Sequence, residues 1–109
     1  MFFKRKREER EEVFIGYIDR IGILDLQGVE EYLREERVRE VYLVVRMVPN
    51  ERVLSYLEGR PELRDKVRIV RSDDLKGEVK RIKKENAQFR VRVQDMREFG
   101  KRAMSRDPF

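Results

Sequence analysis

Residues 38–48, VREVYLVVRMV, constrain the fold more than any other stretch of the chain. In an extended conformation Val41, Leu43, Val45 and Met47 fall on one face, with Tyr42, Val44 and Val48 on the other, because successive strand side chains point to opposite sides. A strand that is apolar on both faces needs a layer packed against each, as in the middle of a parallel sheet. The neighbouring segments fit. VFIGYI at 13–18 is short, β-branched and aromatic and reads as a second buried strand, with an extension or bend at IGIL, 21–24, around Gly22. Between these strands Leu26, Val29 and Leu33 recur at i, i+3 and i+7, the stripe of an amphipathic helix that Asp25 is placed to cap and that ends near Glu36.

Pro49 and Asn50 stop the central strand and open a short helix carrying Val53, Leu54 and Leu57, closed by Gly59 and Pro61. Residues 67–70 supply a third strand. A helix starts after it at Ser72 or Asp73, with Asp73 and Asp74 at the positive end of its dipole. Strands alternating with helix-length segments predict an α/β fold: a small three-stranded, or four-stranded, mainly parallel sheet built from βαβαβ units with right-handed crossovers. At 109 residues the chain has the size of one ordinary domain. It divides into a charged extension (1–12), an α/β core (13–72) and a basic C-terminal segment (73–109).

In that last segment Leu75, Val79, Ile82, Asn86, Phe89, Val93 and Met96 recur at alternating spacings of four and three, the coiled-coil period. Val79, Asn86 and Val93 then occupy a positions, and Leu75, Ile82, Phe89 and Met96 occupy d. One Asn among apolar a residues favours a two-stranded parallel pairing, so the expectation is a long C-terminal helix that joins two copies into a homodimer. Glu78 facing Lys83 and Glu85 facing Arg90 of a partner support the pairing, whereas Arg92 facing Arg97 opposes it. The competing pattern is QFRVRVQ at 88–94, which alternates with a period of two; with Gly77 weakening the helix, it gives instead a helix at 73–86, a fourth strand and a short final helix.

The chain has no Cys and no His, which removes disulfides, zinc fingers and thiolate or imidazole chemistry. Ser55, Ser72 and Ser105 are its serines, and none lies in a nucleophile elbow. Phosphate-cradling glycine motifs are missing as well. No catalytic residue, cofactor or metal is therefore expected. Charged residues form 45% of the chain and Trp is absent, a balance like that of hyperthermophile proteins. With no apolar run near the ~20 residues of a membrane helix, a soluble, cytoplasmic protein is expected.

Lys and Arg minus Asp and Glu give +1 for residues 1–12, −4 for 13–36, +3 for 37–77 and +5 for 78–109. A basic terminal segment on a nearly neutral body is an electrostatic footprint for nucleic acid. The candidate contacts are Lys80, Arg81, Lys84, Arg90, Arg92, Arg97, Lys101 and Arg102. The leading expectation is a non-catalytic homodimeric binding or assembly module that contacts nucleic acid through this stripe. The alternative is a protein-interaction scaffold without nucleic acid.

Two resemblances add further expectations. SDDLKG at 72–77 resembles the D-x-D-x-x-G motif of Toprim domains, with Ser72 in place of the first Asp and Asp19 in place of the Glu after the first strand. The resemblance implies Mg²⁺-dependent phosphoryl chemistry, whereas the local reading of Asp73 and Asp74 is helix capping. Met1, Phe2, Phe3 and Lys4, followed by DLQGVEEYLREERVREVYLVV at 25–45, resemble the N-terminal anchor, first helix and strand of SepF-type division proteins, which implies a membrane-associated assembly protein.

Overall fold

The computed structural model describes residues 11–98. Along the chain come β1 (Glu12–Ile18), α1 (Ile23–Glu35), β2 (Val38–Val45), α2 (Glu51–Glu58), α3 (Pro61–Lys66), β3 (Val67–Arg71), α4 (Leu75–Glu85) and β4 (Arg90–Asp95). The strands form one sheet in the order β3-β2-β1-β4, every neighbouring pair parallel. The α/β expectation holds, in its four-stranded form.

Alternation along the strands sorts the core into two layers. Phe14, Val41, Leu43, Val45 and Val67 face Leu26, Val29 and Tyr32 of α1, Val53 of α2 and Leu63 of α3. Val13, Ile15 and Val44 face Ile82 of α4, with Tyr17, Tyr42, Val70, Leu75 and Val79 packed around them. The chain steps from β1 to β2 to β3 in one direction and then reverses to place β4 beside β1. Right-handed crossovers in opposite directions put their helices on opposite faces, which is why, among the described helices, α4 is the one that covers the second face. Gly16 in β1 permits a close approach: a Cβ there would meet Met96 Cγ at 2.7 Å and Leu43 Cδ2 at 3.2 Å.

Several expectations need correction. The heptad residues do not share one helix: Leu75, Val79 and Ile82 lie on α4, Asn86 is its C-cap, Phe89 is in the turn, Val93 is in β4 and Met96 follows β4. The described part of 73–109 is thus α4 plus β4 of the same sheet, and a long C-terminal helix is not seen. Lys83 and Lys84 end α4 favourably at the negative pole of its dipole, and Asn86 then stops it. Asp25 does not cap α1 as its first residue; Gly22 is the N-cap, and Asp25 accepts the Gly22 N–H at 2.7 Å from inside the first turn. Pro61 opens α3 rather than only closing α2, since a proline at the first helical position lacks an N–H that would have gone unbonded anyway. Met47 and Val48 lie beyond the end of β2 and are exposed. Of the charged extension, residues 1–10 lie outside the described residues, and Glu12 begins β1.

Tyr32 binds three elements together. Its ring lies 4.9 Å from that of Phe14, its hydroxyl donates to the Glu12 carboxylate, and the Arg92 guanidinium donates back to it at 3.3 Å. Burial, and then the Glu12 carboxylate, push the phenol from 10.0 up to about 12. The neutral phenol is the form the fold favours, so this contribution is intact below the unfolded value and is lost as pH rises through the folded one. We expect stability to fall by on the order of 2 kcal/mol between about pH 10 and 12. Tyr32→Phe should lack that fall when urea unfolding is compared at both ends of the window; an identical fall in the variant would assign it to other groups.

Candidate nucleic-acid interface

α4 begins at Asp74, whose carboxylate accepts the Gly77 N–H at 3.0 Å. A Cβ on residue 77 would meet Asp74 Cγ at 2.9 Å, so Gly77 makes room for the cap and is not merely a weak point in the helix. Ser72 Oγ accepts the Asp74 N–H at 3.1 Å. SDDLKG thus assembles a helix start, which is the capping role read from the residues themselves.

With about 100° per residue, α4 divides into three sectors. Leu75, Val79 and Ile82 turn inward, and the buried Asn86 continues their line, its Nδ2 donating to the Ile82 carbonyl at 2.8 Å. On one flank Arg81 reaches Glu78 with Nε at 2.9 Å and Glu85 with Nη1 at 2.8 Å. On the other flank Lys76, Lys80, Lys83 and Lys84 span an arc of roughly 100°, and all four are exposed. Among the described residues none of these four lysines has a carboxylate within 4.0 Å, whereas nine arginines do.

The candidate cations from the sequence are therefore not one stripe. Lys80 and Lys84 belong to the lysine flank. Arg81 lies on the opposite flank between its own acids. Arg90 and Arg92 alternate onto the far face of the sheet, where the Arg92 guanidinium carbon stands 5.3 Å from the centre of the Tyr32 ring. Arg97 grips Asp95 at 2.8 and 3.2 Å and holds that carboxyl below its usual range. Lys101 and Arg102 lie outside the described residues. Lys76 and Lys83 were missed; a helical wheel drawn over residues 75–85 alone would have found them.

Beside the lysine flank is a hollow of about 200 Å³ lined by Tyr17, Lys76, Val79, Lys80 and Val93. It exists because α4 packs over β1 and β2 and leaves the edge strand β4 partly open, so that Val93 stays 39% exposed.

The strand-end acids have arginine partners. Arg46 bonds Asp19 at 2.9 Å and the Asp73 carbonyl at 2.7 Å, and Arg71 bonds the Asp73 carboxylate at 2.7 Å. Of the acids that the Toprim resemblance singles out, Asp19 is bonded by Arg46 and Asp74 is engaged as the N-cap of α4, whereas Asp73 stands at an unspecified position of that motif. Among the described residues no helix is long and apolar enough to cross a membrane. Comparison with known proteins returns no matching family model, no matching curated protein and no matching solved structure.

Proposed function

We propose that the chain is a non-catalytic nucleic-acid-binding module that contacts phosphate through the lysine flank of α4. The supporting observation is the division of the cations: among the described residues nine arginines engage carboxylates, Arg81 of α4 included, while Lys76, Lys80, Lys83 and Lys84 stand together with no carboxylate within 4.0 Å. Four ammonium groups along one helix flank match the spacing demands of a phosphate backbone loosely, so binding is weakly selective for sequence and strongly dependent on salt.

If all four engage phosphates on duplex DNA, the logarithm of the affinity should fall with the logarithm of salt concentration at a slope of about −3 to −4. Reversing all four to Glu should abolish binding at low salt and remove most of the slope, equally for unrelated probe sequences. Arg81→Gln, which changes a paired cation, should alter affinity only a few-fold. Fluorescence anisotropy across a salt series reads all three, and an unchanged affinity in the quadruple variant would reject the interface.

A second reading, an assembly module acting through protein contact and including a homodimer, is favoured by apolar exposure at the carboxyl end of the sheet. Leu24, Met47 and Val48 are 51%, 45% and 73% exposed. Under that reading Val48→Glu reduces the mass measured by light scattering without changing the unfolding midpoint; a monomeric wild type rejects the homodimer.

A further inference from the structure

We propose that the hollow between α4 and β4 receives an unstacked base of single-stranded nucleic acid, with Tyr17 as its stacking surface and Lys76 and Lys80 on the adjoining phosphates. The proposal builds on the lysine-flank reading above and adds the class of nucleic acid.

Size, lining and charge agree on this occupant. A cavity of roughly 150 Å³ is enough to hold a benzene ring, and the hollow measures about 200 Å³ and is open at one side. It is lined by the tyrosine, by two valines, Val79 and Val93, and by Lys76 and Lys80, both of which are exposed. An apolar floor beside a pair of cations fits a flat ring joined to an anion. A base on its phosphodiester backbone has that form, and base stacking on aromatic side chains within a positive groove is how single strands are held without sequence preference. A duplex keeps its bases stacked inside and offers only the phosphates.

Charge also decides against the two occupants nearest at hand. Residues 99–109 carry Lys101, Arg102 and Arg106 against Asp107, a net charge of +2 that the lysine rim repels. A second copy seated by the same face would bring two lysine flanks together. Both are disfavoured by the cations that favour a polyanion.

The test uses the full chain with three probes at fixed salt: a short thymidine homopolymer, a duplex of the same length, and inorganic polyphosphate. The wild type should bind the single strand about 10-fold more tightly than polyphosphate of equal charge, the scale of one stacked base. The chain has four tyrosines and no Trp, so quenching of tyrosine emission by the single strand alone gives a second readout. Tyr17→Leu should abolish both the preference and the quenching while leaving polyphosphate affinity unchanged. Because Tyr17 also adjoins the core, Val93→Phe serves as an independent variant that fills the hollow from an exposed position and should remove the preference in the same way. Equal affinity for single strand and polyphosphate in the wild type, or a preference that survives both variants, overturns the base pocket and leaves the lysine flank standing. Failure of every polyanion to bind at low salt would instead remove the lysine-flank reading.

Discussion

Phe14→Ala is expected to remove about 3–5 kcal/mol of stability, the scale for deleting a fully buried aromatic side chain. Phe14 has no exposed surface, lies in the middle of β1, and touches Tyr32 of α1 through its ring. β1 is paired on both sides, with β2 and with β4, so a void beside Phe14 loosens the strand on which the sheet depends. Ordinary domains have a total stability of about 5–15 kcal/mol, and this chain has no disulfide to add a margin. The variant should therefore lose most of its folded population at modest urea concentration. Phe14→Leu, which keeps most of the volume, should cost far less, about 1.5 kcal/mol. Equilibrium urea unfolding followed by circular dichroism distinguishes them; a loss below about 1 kcal/mol for the alanine variant would be incompatible with a central β1.

The strands β1, β2 and β3 and the helix between the first two were legible because each carries a periodicity of its own over its whole length. β2 was clearest, since apolar residues on both faces leave few environments other than the middle of a layered sheet. The C-terminal third was ambiguous for a physical reason. Leu75, Val79 and Ile82 have the spacing of any helix that buries one stripe, whether against a sheet or a second helix. Phe89 and Val93 continue that spacing by coincidence while sitting in a turn and a strand. The local signals that decide the matter were present: the period-two alternation of 88–94, and an Asn at the point where a helix can end.

The lysine flank was half legible. Residue type and spacing place Lys80 and Lys84 on an exposed surface, but a wheel drawn on a longer helix hid Lys76 and Lys83. That Arg81 is neutralised by Glu78 and Glu85 follows from its i−3 and i+4 neighbours and was within reach. Other features depend on which strands lie side by side, which no local pattern records. Arg46 meets both Asp19 and the Asp73 carbonyl only because β2 lies between β1 and β3. The hollow exists only because β4 joins the open side of β1.

Asn86→Val separates the two readings of the C-terminal third by the sign of its effect. At an a position of a parallel coiled coil, replacing Asn with a β-branched residue would tighten the assembly or raise its order. In the structure Asn86 closes α4, donating its amide to the Ile82 carbonyl at 2.8 Å. A valine deletes that buried bond at the end of α4 and offers nothing polar in its place. The Ile82 carbonyl keeps the backbone N–H of residue 86 at 3.1 Å, so we expect a loss on the order of 1 kcal/mol, with no change in the mass measured by sedimentation. A gain in stability accompanied by a larger assembly would restore the coiled coil.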